Sequence, residues 1–107
     1  MREICLARLD KTRPVLVLTR DVARAAMTKV TVAPITSTVK GLSSEVPLDT
    51  RNGLDHACVA SLDNIITVPV AALGRTIGYL STTQEVNLAR AMVLAFDLDI
   101  PLMGSAG

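Results

Sequence analysis

Aromatic residues are almost absent from this chain, which has one tyrosine, one phenylalanine and no tryptophan among its 107 residues. Half of the residues are nevertheless hydrophobic, so valine, isoleucine, leucine and alanine have to fill the core. A chain of this length is typical of one domain and buries roughly two thirds of its unfolded surface, enough for a single core without disulfides.

Closely spaced cysteines and long hydrophobic runs are also lacking. Cys5 and Cys58 do not form a C-x-x-C motif, which argues against a metal or dithiol redox site and favours buried thiols. The longest uncharged run, residues 64–74, is too short to span a bilayer, although the mean hydropathy is +0.42. Without a signal-peptide-like run at the start, we expect a cytoplasmic protein whose surplus apolar surface is covered by a second subunit.

A strong excess of positive charge is missing as well. The formal net charge is +1, which is weak for a protein that grips long duplex nucleic acid. A short single strand in a local basic groove is compatible with this charge. The first 24 residues in fact carry six basic side chains against three acidic ones.

Short strands separated by turns make up most of the pattern. We predict strands over residues 3–9, 12–19, 29–35, 45–48, 57–62, 65–68 and 76–80. The strand at 45–48 contains Pro47 and is therefore expected at a sheet edge. The pattern predicts a mainly β fold with a C-terminal α-helix, arranged as a small, partly closed antiparallel barrel that occupies residues 1–100.

The helix is predicted at about residues 82–96. Two overlapping capping boxes, Ser81 with Gln84 and Thr82 with Glu85, precede it. Its apolar stripe, expected to pack on the sheet, consists of Val86, Ala89, Met92, Val93 and Phe96. Residues 101–107 are expected to form a frayed, flexible tail.

Two of the strands carry polar residues to their ends. Arg13 precedes Pro14 where the second strand begins, and Thr36 follows the break at Pro34 where the third strand ends. If these strands pair, an arginine fork and a hydroxyl meet at one edge of the barrel. The residues alone also permit a strand-edge ion pair for Arg13 and a turn hydroxyl bonded to its own backbone for Thr36.

These segments, in this order, resemble the MazF/PemK/Kid family of toxin endoribonucleases. The resemblance is carried by residues 13–19, 32–36 and 58–65 and extends from about Arg2 to Leu98. It implies an SH3-like barrel, a homodimer and sequence-specific cleavage of single-stranded RNA without a metal or other cofactor, which would inhibit translation and growth. It further implies a cognate MazE-like antitoxin, no membrane association and no DNA binding by the toxin alone.

The resemblance also implies residue roles. Arg13 and Thr36 match the family's arginine and threonine, which would stabilise a phosphorane as the neighbouring 2′-hydroxyl attacks. The expected products carry a 2′,3′-cyclic phosphate and a 5′-hydroxyl. Asp63 matches an acid that some members use and would serve as a general base; a turn aspartate bonded to nearby backbone is the alternative, and both interpretations stay open.

RNA contacts are expected from residues around these positions, with a solvated surface position as the alternative for each. The candidates are Arg20, Lys29, Ser37, Lys40 and Arg51. Base choice is expected to depend on the loops at 20–28, 37–44 and 49–56. The sequence does not predict the RNA motif or whether messenger, transfer or ribosomal RNA is the main target.

The chain departs from the family pattern in ways that either shift the chemistry toward Arg13 and Thr36 or reduce the activity. Only residues 10–12 separate the first two strands, so the long loop of many members, and the catalytic histidine that some draw from it, are missing. Ser61 stands where some relatives carry an arginine. His56, the only histidine, is predicted to be a surface residue first and a base contact second.

Two other functions use the same kind of barrel. A toxin of the CcdB type binds a protein target such as gyrase and would need no phosphate site. A small assembly module would need no chemistry at all. Fold alone does not decide among these functions.

Overall fold

The computed structural model describes residues 2–99, without the side chains of Asp21 and Val22. Within this part of the chain the strands are β1 (Glu3–Arg8), β2 (Thr12–Val17), β3 (Lys29–Thr36), β4 (Glu45–Leu48), β5 (Cys58–Ser61), β6 (Ile66–Pro69) and β7 (Leu73–Tyr79). The helices are α1 (Asp21–Arg24) and α2 (Thr82–Ala95), and 3₁₀ turns lie at Thr50–Asn52, Leu62–Asn64 and Val70–Ala72. The tail predicted at residues 101–107 lies outside the described residues.

All seven strands pair antiparallel in one curled sheet of order β4-β5-β3-β2-β1-β7, with β6 attached to β3. β3 is the hub, because its first half pairs with β6, its middle with β2 and its last two residues with β5. A strand that changes neighbours along its length bends the sheet into a half-barrel. The predicted mainly β fold with one C-terminal helix is confirmed, and β4 lies at the edge as predicted.

The core is aliphatic and forms two clusters. One cluster lies between α2 and the sheet and is built around Ile4, Leu16, Leu48 and Leu62. The other contains five valines with Cys5 and Ala7. Both cysteines are buried free thiols, as predicted. Tyr79 and Phe96, the two aromatic residues, are instead about half exposed, so the core forms without any aromatic side chain.

The predicted packing face of α2 is wrong. Leu88 and Ala91 are the buried residues of this helix, with Met92 and Ala95 packed against the same cluster. Of the predicted stripe, Val86 and Phe96 are close to half exposed and Ala89 is also exposed. Apolar residues occur all around α2 after Glu85, so two overlapping stripes fit a helical period equally well.

The N-terminal cap determines which face of α2 packs. Of the two predicted capping boxes the structure uses Ser81 with Gln84. The Gln84 amide also pairs with the Asn52 amide and donates to the Pro47 carbonyl oxygen. These bonds tie the first turn of α2 to β4 and to the 3₁₀ turn at Thr50–Asn52, and so set the rotation of the helix. No helix among residues 2–99 is long and apolar enough to cross a membrane.

Candidate active site

Strand pairing brings Arg13, near the start of β2, and Thr36, at the end of β3, to the same end of two neighbouring strands. In the β2–β3 register Val15 lies opposite Pro34 and Val17 opposite Val32. Arg13 lies two residues before Val15 on β2 and Thr36 two residues after Pro34 on β3, so both stand just beyond the same end of this ladder. Both residues line one cleft of about 450 Å³, a size typical of ligand-binding clefts.

This cleft, here termed the arginine cleft, is positively charged. Lys11, Arg13 and Arg75 contribute permanent cations, with His56 beside them and Asp55 as the one carboxylate. Such a concentration of cations attracts phosphate groups. The full lining is Leu6, Lys11, Thr12, Arg13, Pro14, Ile35, Thr36, Ser37, Gly53, Leu54, Asp55, His56, Cys58, Arg75 and Ile77.

Arg13 is held by the carboxylate of Asp10 in the short β1–β2 connection. Its Nε donates to Oδ1 at 3.0 Å and its Nη2 to Oδ2 at 3.1 Å, and its side chain is 40% exposed. The hydrogen bond and charge of Arg13 lower the pKa of Asp10, and Asp10 in turn raises the pKa of Arg13. The carboxylate uses one side of the guanidinium, so the Nη1–Nη2 end can still form a fork with a phosphate.

Thr36 forms the local bond that the alternative interpretation predicted. Its Oγ1 accepts the backbone N–H of Thr38 at 3.1 Å. A hydroxyl that accepts one hydrogen bond can still donate its own hydrogen to another oxygen. This turn therefore orients Thr36 in the cleft and leaves it able to donate to a substrate phosphate.

Asp63 is not part of the arginine cleft. It lies in the 3₁₀ turn after β5, and its carboxylate accepts a hydrogen bond from the hydroxyl of buried Ser44. Val59 of β5 pairs with Thr36, whereas Asp63 lies beyond the end of β5 and is not among the residues that line the arginine cleft. The structure thus brings Arg13 and Thr36 together within one chain, and does not bring Asp63 to them.

The five predicted RNA contacts are widely scattered. Ser37 lines the arginine cleft, and Arg51 lines the groove beside it. Lys29 is at the opposite end of β3 from Thr36, roughly 23 Å away in an extended strand.

Two further candidates also lie away from the cleft. Arg20 lines a separate depression with Arg2 and Arg24. Lys40 lies in the exposed loop after β3, where its backbone N–H donates to the Glu45 carboxylate. Ser37 is therefore the one predicted contact that shares a cleft with Arg13.

Three basic side chains of the arginine cleft were not among the predicted site residues. Lys11 is a neighbour of Arg13 in sequence, and His56 belongs to a loop predicted to affect base choice, so both could have been identified from proximity. Arg75 could not, because it reaches the cleft only through the pairing of β7 with β1. Among residues 2–99 no three His, Cys, Asp or Glu side chains are grouped so that they could hold a metal ion.

A second, larger groove of about 1270 Å³ adjoins the arginine cleft. It is here termed the tyrosine groove, after Tyr79, and shares Gly53, Cys58 and Ile77 with the arginine cleft. Its other lining residues are Val39, Pro47, Leu48, Asp49, Thr50, Arg51, Asn52, Ala57, Val59, Gly78, Leu80, Ser81, Thr83, Gln84 and Asn87.

The wall between the two depressions is a close crossing of two backbones. Gly53 has a φ of 83°, and a Cβ there would collide with the carbonyl oxygen of Ile77. A Cβ on Gly78 would collide in the same way with the carbonyl oxygen of Asn52. The Asn52-Gly53 pair forms a sharp turn, and the crossing requires glycine in both backbone segments.

Hydrogen bonds lock this crossing. The Asn52 Nδ2 donates to the Tyr79 carbonyl oxygen at 2.8 Å and to Gln84 Oε1 at 2.7 Å, and Gln84 Nε2 donates back to Asn52 Oδ1 at 2.9 Å. Asn52 is buried, so this reciprocal amide pair satisfies groups that would otherwise be costly to bury. It holds the loop that carries His56 against β7.

Comparisons with known proteins agree with this geometry. A family described as "PemK-like, MazF-like toxin of type II toxin-antitoxin system" matches residues 3–96. Endoribonuclease MazF3 of Mycobacterium tuberculosis is 60% identical over 99 residues, which cover 92% of this chain and 96% of that protein.

Solved structures show the same similarity. Mycobacterium tuberculosis toxin MazF-mt6 superposes with a TM-score of 0.90 at 58% identity, covering 92% of this chain and 100% of that one. An endoribonuclease in complex with its cognate antitoxin, from a mycobacterial species, has a TM-score of 0.82 at 20% identity, covering 92% of this chain and 95% of that one. The second similarity concerns the fold alone.

Proposed function

The chain belongs to the family of PemK-like, MazF-like toxins of type II toxin–antitoxin systems and is a MazF-type endoribonuclease, and from that premise we propose that its arginine cleft cleaves single-stranded RNA without a metal ion. The observation that carries this proposal is the meeting of Arg13 and Thr36, from adjacent strands, in one basic cleft. The resemblance seen in the sequence is thereby confirmed for family and fold, and the site assignment is the part that we propose.

The cleavage step uses a nucleophile that the substrate itself supplies. The 2′-oxygen attacks the adjacent phosphorus and loses its proton, the bond from phosphorus to the 5′-oxygen breaks, and that oxygen takes up a proton. The products are a 2′,3′-cyclic phosphate and a 5′-hydroxyl. Because attacking and leaving groups are already tethered, the enzyme contributes orientation and stabilisation of the extra negative charge.

Arg13 and Thr36 are suited to that charge. The Nη1–Nη2 end of Arg13 would bind the two non-bridging oxygens in a fork, while the Asp10 carboxylate holds the other side of the guanidinium. The Thr36 hydroxyl would donate one further hydrogen bond to the same oxygens. Lys11 and Arg75 would bind neighbouring phosphates of the strand.

Proton transfer is assigned to His56 rather than Asp63. Histidine is the residue type that most often transfers protons in enzymes, and His56 lines the arginine cleft. Asp63, by contrast, is bonded to Ser44 outside the cleft. We therefore propose a structural role for Asp63, with the direct comparison of the two residues as its test.

The partners follow from the family and from the surface. An acidic antitoxin segment of the MazE type would compete with RNA for the cations of the arginine cleft. The exposed apolar side chains on and just after α2 support the predicted homodimer, and these are Val86, Leu94, Phe96 and Leu98. We place this protein in the bacterial cytoplasm, where its RNA substrates are made.

The deciding experiment is cleavage of a long unstructured RNA by the purified protein in excess EDTA, beside Arg13→Ala. We expect discrete cuts with cyclic-phosphate ends from the wild type and none from the variant. Arg90→Ala, which removes an exposed arginine from α2, is the control for lost charge. Circular dichroism and thermal melting establish that all three proteins fold.

Two results would contradict the proposal. Cleavage that stops in EDTA and returns with a divalent ion would overturn the metal-free chemistry. No cleavage from well-folded wild-type protein would overturn the assignment of the cleft and favour a toxin that binds a protein target.

A further inference from the structure

Tyr79 is the single tyrosine of a chain without tryptophan, and it is 47% exposed. It belongs to neither hydrophobic core cluster and instead lines the tyrosine groove. An exposed aromatic ring beside a basic cleft is the arrangement with which proteins hold single-stranded nucleic acid, since every base has a face that can stack. We propose that Tyr79 is a stacking platform for an RNA base that flanks the scissile phosphate, an inference that rests on the function proposed above.

The two depressions form one continuous path. Ile77 and Gly53 line both, and Tyr79 follows Ile77 by two residues on β7, about 7 Å further along the strand. A strand whose phosphate lies against Arg13 therefore passes over the glycine crossing and reaches Tyr79 next. Gly53 and Gly78 contribute no side chain at that crossing.

The two parts of this path differ in charge. The arginine cleft is lined by three permanent cations and one carboxylate and stays net positive when the pairing of Arg13 with Asp10 is counted, which suits phosphates. In the tyrosine groove Arg51 is paired with Asp49, through Nη2–Oδ2 at 2.8 Å and Nε–Oδ1 at 3.2 Å. The groove is thus close to neutral and mainly apolar, with amide and hydroxyl side chains among its lining residues, which suits a stacked base more than it suits a phosphate.

The backbone under Tyr79 is held from both sides. Tyr79 pairs with Glu3 in the β1–β7 ladder, and its carbonyl oxygen accepts from the Asn52 amide. A ring on a fixed backbone loses little conformational entropy when a base stacks on it. Phe96, the other exposed aromatic at 49%, lies at the end of α2 outside both depressions and has no comparable support.

Tyrosine emission tests the proposal directly, because in this chain it reports Tyr79 alone. The probes are the four single-stranded 2′-O-methyl RNA homopolymers, together with an oligonucleotide spanning a mapped cut site with a 2′-O-methyl group at the attacking position. None of these can be cut there, since the nucleophile is blocked. We expect at least one probe to quench the emission, and Arg13→Ala to retain a quenched end point at higher probe concentration.

Substitutions of Tyr79 test whether RNA affinity depends on its aromatic ring. By fluorescence anisotropy of the labelled probe, Tyr79→Phe should bind as the wild type, whereas Tyr79→Ala should bind roughly 5- to 100-fold more weakly. Ile66→Ala, which trims an exposed apolar side chain on β6 outside both depressions, is the control and should change nothing. An abasic nucleotide at the stacked position should weaken wild-type binding by a similar factor and weaken Tyr79→Ala no further.

The possible failures are distinguishable. If the wild type cleaves RNA but Tyr79→Ala binds and cuts it equally well, stacking is overturned and the proposed nuclease stands. If emission changes with protein dilution and never with probe, Tyr79 belongs to a subunit contact, which also overturns stacking. If the probes quench Tyr79 but no RNA is cut, the stacking site stands and the nuclease assignment fails.

Discussion

Two arginines of this protein make nearly the same local interaction in very different surroundings. Arg13 forms a two-pronged ion pair with Asp10, and Arg51 forms one with Asp49. Each pair lowers the pKa of its aspartate and raises that of its arginine. The Arg13 side chain is 40% exposed in a cleft with other cations. The Arg51 side chain is 87% exposed in a groove where Asp49 is the one other charged lining residue.

The difference shows that a local ion pair does not define a phosphate site. What distinguishes Arg13 is the set of side chains that the sheet brings to it, namely Thr36 across the β2–β3 pair and Arg75 through the β1–β7 pair. Cations that surround one point repel each other less when an anion lies between them, so phosphate is favoured in the arginine cleft. Arg51 has no such neighbours among the residues that line its groove.

Replacing each arginine by alanine should give the largest contrast. Arg13→Ala should lower the cleavage rate by about 100- to 1,000-fold, because it removes the main group that stabilises the phosphorane charge. Arg51→Ala should stay within about threefold of the wild type, as expected for a surface change. Initial rates on one RNA measure both. Equal losses from the two variants would show that the cleft and the groove contribute alike.

Thr36 gives the next contrast, between the two ends of β3. Thr36→Val should lower the rate by about 10- to 100-fold by removing one hydrogen bond to the transition state, and Thr36→Ser should restore most of it. Thr31→Val, near the other end of β3, removes a hydroxyl that contacts Thr67 and should leave the rate unchanged. A loss in Thr36→Ser as large as in Thr36→Val would indicate a structural role.

The third contrast is between His56, which lines the arginine cleft, and Asp63, which lies in the turn beyond β5. His56→Gln should lower kcat by about 10- to 100-fold with little change in KM, as expected for lost proton transfer. A substrate with sulfur in place of the leaving 5′-oxygen needs no protonation and should restore the rate if His56 is the acid. Asp63→Asn should keep kcat within about threefold and lower the melting temperature, since its carboxylate bonds Ser44. A kcat collapse in a folded Asp63→Asn protein would restore this residue as the base.

The aspartates of the two pairs should give the smallest effects. Asp10→Asn should lower kcat by about 3- to 10-fold, because the Arg13 guanidinium loses its orienting partner. Asp49→Asn should leave kcat unchanged and lower the melting temperature by a few degrees, because Asp49 also accepts the backbone N–H of Arg51 at the start of a 3₁₀ turn. Cleavage rates and thermal melts of both variants test whether Asp10 affects kcat and Asp49 affects stability.

The pH dependence of these pairs has a definite sign. Both carboxylates have a pKa lowered below the ordinary value of 3.8. Such groups contribute their stabilisation above the unfolded pKa and lose it as the pH falls through the folded one. The two ion pairs should therefore be intact at every pH above about 5, and a rate change between pH 5 and 8 has to come from another group.

Much of the fold could be predicted because it depends on local signals. Pro47 marks the edge strand and the Ser81 cap starts α2, whereas β3 continues through the break predicted at Pro34, which lies opposite Val15 in the sheet. The face of α2 was missed because the helix is apolar on nearly all sides. Its rotation depends on the contact between Gln84 and Asn52, which are 32 residues apart in the chain.

The residues in and around the cleft also differ in how far the sequence could predict them. The family resemblance, and not the residues alone, gave the roles predicted for Arg13 and Thr36, and the structure places both in one cleft. It places Lys29 and Asp63 outside that cleft, a separation that a set of motifs does not show, and the roles predicted for all four residues stay predictions. Arg75 was missed, since its nearness to Arg13 exists only when β7 pairs with β1.

The amino-acid sequence by itself determined the aliphatic core, the limits of most strands and the helix cap. These are consequences of side-chain chemistry and of preferences that act over a few residues. The tertiary structure decided which charges surround Arg13, which face of α2 is buried, and that a neutral groove with Tyr79 continues the cleft. Those features depend on strand register and on a close contact between two glycines, and both form only when distant segments pack together.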